Sequence, residues 1–185
     1  MNYDKVIICG KGPTAEFAQN DTGCLVGLNT AITLFDRVDF LVTNDVETFD
    51  RLDRMGYDYS KVGGIILPEQ LHRKERVCEI TCVDIMKRIG GNNFYPYRLP
   101  TQIVPSMGGP EFKCKSTYHT ALQWFIHNGC MDFKIYGVSR ECEYHDRFKN
   151  GDTGNSRNDG WYEENFDKGV EILEKGGCRY SIFIE

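Results

Sequence analysis

Small polar residues follow three successive β-like runs near the start of the chain, where they could contact a ligand. Gly10-Lys11-Gly12-Pro13-Thr14 follows the first run, Asn29 follows the second, and Thr43-Asn44-Asp45 follows the third. The carboxyl ends of parallel strands meet at one edge of a sheet, where α/β proteins bind ligands, so we expect these residues to line one site. Asparagine, aspartate and threonine are also common helix caps, which is an ordinary structural explanation for each position taken alone.

The first of these loops has the composition of an anion-binding turn. Glycines at 10 and 12 allow the backbone to pass close to a ligand, and the amides of a helix opening at Thr14 would favour negative charge. The loop is not a dinucleotide-binding fingerprint, because the third glycine is missing and Pro13 interrupts the pattern. It is not a Walker A loop either, because no Gly-Lys-Ser/Thr follows at the required distance.

Apolar runs that are typical of buried strands alternate with helical patterns along the chain. Strands are predicted over residues 6–9, 24–28, 38–42, 64–67, 133–137 and 180–184. Helices are predicted at about 14–19, 30–35, 45–54, 116–127 and 162–175, with 69–90 helical in part and 94–100 an edge strand or loop. This alternation predicts an α/β fold with a single open, mostly parallel sheet and helices on both faces, a Rossmann-like arrangement.

Length and composition fit one soluble domain over residues 1–185. The net charge of −5 argues against a general nucleic-acid binder, which would normally carry a basic excess. No apolar run is long enough to span a membrane, and the first residues lack the pattern of a signal peptide. We therefore expect a cytoplasmic protein with reduced thiols. The eight cysteines include no C-x-x-C pair, which disfavours a structural metal site.

Four segments, in order, resemble bacterial family-42 sialyltransferases and the related domain of hydroxymethylpterin pyrophosphokinase-like proteins (domain of unknown function 115). Residues 6–14, VIICGKGPT, resemble the family's opening VIIxGxGPS. The other three segments are 26–29 (VGLN), 39–45 (DFLVTND), and a block from Lys115-Ser116-Thr117 through a helix and Gly129 to Val138. Together the four segments cover about a quarter of the chain, and their order and spacing match as well as their letters.

The resemblance implies a site for a nucleotide-sugar, in which CMP is the nucleotide and no metal or other cofactor takes part. The nucleotide-binding residues that it implies are Gly10, Lys11, Gly12, Thr14, Asn29, Asn44, Lys115, Ser116 and Thr117. Of these, Ser116 and Thr117 would meet the phosphate at a helix N terminus, where the helix dipole favours an anion. Tyr144, with Lys113 or Lys115, would stabilise the phosphate as it leaves the sugar.

The sequence departs from the family at two functional positions. Ser139 replaces an aspartate, and Trp161 stands near the place of the histidine that serves as general base. His145 lies in a polar segment at about 140–160, which we interpret as a short lid, and it could act as the base instead. Asp45 or Glu47 could also take the proton, although a carboxylate that starts a helix is the commoner outcome.

These features predict a compact sialyltransferase-like glycosyltransferase with a nucleotide-sugar donor, a CMP-sugar being favoured, and a glycan or small molecule as acceptor. Two alternatives stay open. One is a nucleotide-binding or ligand-sequestering module without catalysis. The other is a pyrophosphokinase, which would need a magnesium-binding pair such as Asp45 with Glu47. A homo-oligomer also stays open.

Overall fold

Strands and helices alternate along the computed structural model, which describes residues 3–74, 76–100, 106–114, 116–141, 148 and 159–184. Its strands are β1 (Val6–Cys9), β2 (Cys24–Leu28), β3 (Val38–Val42), β4 (Val62–Pro68), β5 (Gln70–Arg73), β6 (Arg76–Thr81), β7 (Asn93–Tyr97), β8 (Asp132–Tyr136) and β9 (Arg179–Phe183). Its α-helices are α1 (Val46–Arg54), α2 (Cys82–Ile89), α3 (Thr117–His127) and α4 (Asp159–Lys175). Short 3₁₀ helices cover Pro13–Asn20, Asn29–Leu34 and Tyr59–Lys61.

Seven strands form one parallel sheet in the order β7-β4-β3-β2-β1-β8-β9. Strands β2, β3, β4 and β7 lie on one side of β1, and β8 and β9 lie on its other side. The direction of winding therefore reverses between β1 and β8, and doubly wound sheets bind ligands outside the strand ends at such a point. The predicted Rossmann-like α/β fold is confirmed.

Residues of β1 alternate between two hydrophobic clusters, one on each face of the sheet. Val6 and Ile8 belong to the cluster that contains Phe125 of α3. Ile7 and Cys9 belong to the other cluster, which contains residues of α1 and α2. A strand that is buried on both faces has no polar side, which is why the sequence shows it as a continuous apolar run.

The segment from 69 to 90 is helical in part, as predicted, but it also contains two strands that the sequence did not predict. It begins with the antiparallel hairpin β5–β6, a second small sheet, and only then forms α2. Arg73 pairs with Arg76 across a two-residue connection, and Lys74 within it has a backbone φ of 46°. Such tight hairpins need positive φ, a conformation usually marked by glycine or asparagine. Because lysine gives no such signal, the sequence did not predict the turn.

The described cysteines, namely Cys9, Cys24, Cys78, Cys82, Cys114, Cys130 and Cys178, are free thiols. Burial raises the pKa of Cys114 to about 11, so this thiol stays protonated at neutral pH. Among the described residues, none of the helices combines the length and apolar character needed to cross a membrane. The predicted lid at about 140–160 lies largely outside the described residues.

Glycines allow the loops after β1 and β8 to pack backbone against backbone. A Cβ atom on Gly10 would lie 2.3 Å from the carbonyl oxygen of Gly137, and one on Gly12 would lie 3.0 Å from the same oxygen. The N–H of Gly12 donates to that oxygen at 2.8 Å. Both glycines therefore allow close packing at the point where the winding reverses, whether or not a ligand also approaches them.

We expect Gly10→Ala to lower the free energy of unfolding by about 3 kcal/mol, because the backbone of Gly137 cannot move aside without disturbing β8. Gly90→Ala is the matched control. Nothing lies within 4 Å of its added Cβ, and its φ of 67° adds only the strain of a left-handed residue, about 1 kcal/mol. Urea unfolding measures both variants. Equal losses would show that the close packing of these loops is unimportant.

Candidate functional site

A cavity of about 690 Å³ lies at the carboxyl ends of β1, β2, β3 and β8. This volume is within the roughly 300–1,000 Å³ of typical small-molecule pockets. The predicted site residues that line the cavity are Gly10, Lys11, Gly12, Asn29, Asn44, Asp45, Ser116 and Thr117. The structure therefore brings together residues that are more than 100 positions apart in the chain.

Asn29 presents its amide NH₂ group without a partner. The side-chain oxygen accepts hydrogen bonds from the hydroxyls of Thr43 at 2.8 Å, Thr48 at 3.3 Å and Thr117 at 3.4 Å. The amide nitrogen has no hydrogen-bond partner in the part of the chain that the structure describes. Asn29 also has a left-handed backbone φ of 53°, a strained conformation that asparagine tolerates better than most residues.

Asn44 repeats this arrangement one strand further along the sheet. It is buried, and its side-chain oxygen accepts hydrogen bonds from the hydroxyls of Tyr97 and Thr120. Complete burial raises the pKa of Tyr97, so the phenol stays protonated and acts as the donor. The amide nitrogen of Asn44 again lacks a partner among the described residues. Both asparagines therefore offer donors at the cavity, which suits a ligand that carries acceptors.

The first turn of α3 forms the wall above Asn29. Ser116 caps the helix by accepting a hydrogen bond from the N–H of His119 at 3.3 Å. Ser116, Thr117 and Tyr118 all line the cavity. The first amides of a helix have no partner within it, so this end of α3 adds N–H donors and a positive dipole end to the site.

Lys11 and Thr14 of the first loop have different positions. Lys11 lines the cavity, and its ammonium lies 6.0 Å from the ring centre of the buried Phe148. The Thr14 hydroxyl donates to the carbonyl of Phe183 and accepts from the N–H of Gly137, both at 2.8 Å. The resemblance implied that Thr14 is a nucleotide-binding residue. The structure places it in the joint between β1, β8 and β9, behind the cavity wall, where its hydroxyl is already used.

Aromatic side chains from the start of α4 form the wall near β8. Trp161 and Tyr162 are half-buried, and they line the cavity together with Phe166. Arg140, a few residues after β8, lies 2.7 Å from Asp167 and 5.1 Å from the ring centre of Phe166. This link joins the middle of α4 to the loop after β8, and the aromatic rings at this end of the cavity could stack on a flat ligand group.

The β5–β6 hairpin forms the opposite end of the cavity, and the sequence did not predict this. The N–H of His72 donates to the carbonyl of Asn44 at 2.9 Å, and the N–H of Lys74 donates to Glu47 at 2.9 Å. Both His72 and Lys74 line the cavity. Burial lowers the pKa of His72, so its imidazole is neutral at pH 7. These residues were missed because their segment carries no turn signal and was predicted to be partly helical.

Two carboxylates, those of Asp45 and Glu47, lie at this end of the cavity. Asp45 occupies the N-cap position of α1, but its carboxylate makes no capping hydrogen bond to that helix. One oxygen of Glu47 accepts the Lys74 N–H. Among the residues that the structure describes, no group of three or more histidines, cysteines, aspartates or glutamates is arranged to hold a metal ion.

Three predicted residues, Lys115, Tyr144 and His145, lie outside the described residues, and their roles stay predictions. Comparisons of the chain with family models, with curated proteins and with solved structures found no match. The resemblance to the sialyltransferases therefore rests on the motif residues alone.

Removing the Thr43 hydroxyl tests whether it holds Asn29 in place. Thr43→Val should lower the free energy of unfolding by about 2–3 kcal/mol, because the hydroxyl contacts Asn29 and Thr48 in a fully buried position. Thr33→Val is the control: the Thr33 hydroxyl is also buried but, among the described residues, makes a single hydrogen bond, to the carbonyl of Thr30. Its loss should cost about 1 kcal/mol. Similar losses in denaturant unfolding would contradict a central role for Thr43.

Proposed function

We propose that this chain is a sialyltransferase-like glycosyltransferase that uses a nucleotide-sugar donor, with a CMP-sugar favoured. The observation that carries the proposal is the pair of amide NH₂ groups on Asn29 and Asn44 beside the first turn of α3. Their oxygens are occupied by hydroxyls, so these two side chains offer the cavity only their N–H donors. Donors grouped at a helix N terminus suit phosphate and ribose oxygens.

The order of the cavity walls along the sheet supports a nucleotide-sugar ligand, which has a base, a phosphate and a sugar. The aromatic rings of α4 lie at the β8 end, the amide donors lie at β2 and β3, and the hairpin lies beyond β3. From β8 to β3 there are three strand intervals, about 14 Å at the usual spacing of roughly 4.8 Å. A nucleotide-sugar placed along this edge would have its base at the aromatic rings, its phosphate at the amide groups of Asn29 and Asn44, and its sugar towards the hairpin.

This arrangement suits a transfer in which phosphate is the leaving group. The bond between the anomeric carbon of the sugar and the phosphate oxygen breaks, and its electron pair stays on the phosphate. Fixed N–H donors stabilise the charge that develops there without needing to reorganise. The acceptor hydroxyl, on a glycan or a small molecule, attacks the anomeric carbon and gives up its proton.

A panel of nucleotides tests the ligand class. A ligand at 100 times its dissociation constant adds about 2.7 kcal/mol of stability. In a chain of this size we expect CMP to raise the melting temperature by about 5–10 °C, more than UMP, GMP or AMP, with no need for magnesium. Binding that requires magnesium and a pterin would favour the pyrophosphokinase alternative. CMP binding without turnover of any CMP-sugar would favour a nucleotide-binding module.

Variants of the two asparagines test the polarity of the site. Asn29→Ala and Asn44→Ala should each weaken CMP binding by about 1–2 kcal/mol, because each loses a hydrogen bond to the ligand. Asn29→Asp should weaken it further, because a carboxylate oxygen would replace the donor and repel phosphate. Isothermal titration calorimetry measures the affinities.

The control for these variants is Asn93→Ala, an exposed position on the edge strand β7, and its affinity should not change. An Asn29→Asp variant that binds CMP at least as well as Asn29→Ala would mean that the ligand presents donors, and not an anion, to Asn29.

A further inference from the structure

His72 stands at the end of the cavity where the proposed donor would place its sugar. The backbone N–H of His72 bonds to the carbonyl of Asn44, and a β-bridge pairs His72 with Asp45. The hairpin that carries His72 is held against α1 by the Arg73–Asp50 ion pair at 3.3 Å and by the bond from Lys74 N–H to Glu47. The backbone that carries the imidazole is therefore held both by the end of β3 and by α1.

The ring of His72 is not used by the fold. Neither ring nitrogen has a hydrogen-bond partner among the described residues, and Nε2 is also buried. A buried polar atom without a partner costs stability, so such a group calls for an explanation. Because the ring is half-buried, its pKa lies below the usual value, and the neutral form can accept a proton at pH 7.

Two other histidines of the described chain are placed differently. His119 is buried, and its Nε2 lies 2.8 Å from the carbonyl of Asn165, so packing accounts for it. His127 is exposed at the end of α3, with its ring against Phe112. Neither of them lines the cavity. Among the described histidines, His72 alone lines it.

We propose that His72 accepts the proton of the acceptor hydroxyl. This inference rests on the proposed function. The hydroxyl oxygen forms a bond to the anomeric carbon, and its proton passes to the unprotonated ring nitrogen of His72. The bond from that carbon to the phosphate oxygen breaks, and the nucleoside monophosphate leaves with the electron pair. The sequence predicted His145, in the polar segment at about 140–160, as the general base, whereas the base proposed from the structure is His72 in the β5–β6 hairpin.

The test measures release of CMP from CMP-linked sialic acid in the presence of an acceptor. His72→Ala should lose about 10²–10⁴-fold in turnover, as expected for loss of a general base. Its CMP affinity should change by less than about twofold, because the base acts in the chemical step and not in donor binding. Added imidazole should restore part of the turnover by filling the space left by the side chain. His127→Ala, on the exposed end of α3, should keep its turnover.

The second variant, His72→Asn, keeps a smaller polar side chain at this position. It shows whether the loss of turnover in His72→Ala comes from a folding defect. It should melt like the wild type and show the same loss of turnover. If wild-type protein turns over no CMP-sugar, the proposed function fails, and the role of His72 fails with it. If wild type is active and His72→Ala keeps its turnover, or is not restored by imidazole, only the role of His72 is overturned. A large loss confined to His145→Ala would assign the proton to His145.

Discussion

The shape of the cavity depends on the hydroxyl groups gathered around the side-chain oxygen of Asn29. Thr43 comes from the end of β3, Thr48 from α1 and Thr117 from the first turn of α3, so one acceptor joins three elements that the chain builds separately. These contacts also hold a residue whose backbone is in a left-handed conformation. Because the side-chain oxygen faces the hydroxyls, the amide nitrogen of the same group points away from them. A fold-stabilising network thereby creates the donor that a ligand would use.

Two glycines and Thr14 have a comparable role at the point where the winding reverses. Gly10 and Gly12 allow the loops after β1 and β8 to touch, and the Thr14 hydroxyl bridges those loops to the end of β9. The same letters, glycine-x-glycine followed by threonine, would also describe a loop that wraps a phosphate. In this chain the threonine of the pattern joins strands, while Gly10, Lys11 and Gly12 also line the cavity.

The central strands were predictable because a strand buried on both faces leaves a continuous apolar run, and β1, β2 and β3 have the predicted bounds. Asn29, Asn44 and Ser116 were predictable for a related reason, since they follow buried strands or open a helix. The β5–β6 hairpin was not predictable, because β6 is half-exposed and shows no clear alternation of apolar and polar residues. The turn of the hairpin has Lys74 at its positive φ, where a glycine would have indicated a turn. His72 and Lys74 were missed with it. The Thr14 hydroxyl was misplaced because its partners, Gly137 and Phe183, lie over 120 positions away.

The charges around the cavity make neutral donors important for the proposed function. Lys11, Arg51 and Lys74 line it, but so do Asp45, Glu47 and Glu141, so the described wall has no excess of positive charge. An anion would therefore be held chiefly by amide groups and by the N terminus of α3. These neutral groups attract an anionic ligand, but they bind the neighbouring carboxylates less firmly than a cationic side chain would. Asp45 and Glu47 lie at the hairpin end, where they would repel a phosphate and favour its position at the centre of the sheet edge. This leaves the hairpin end for the less charged part of the donor and for the acceptor hydroxyl, beside His72.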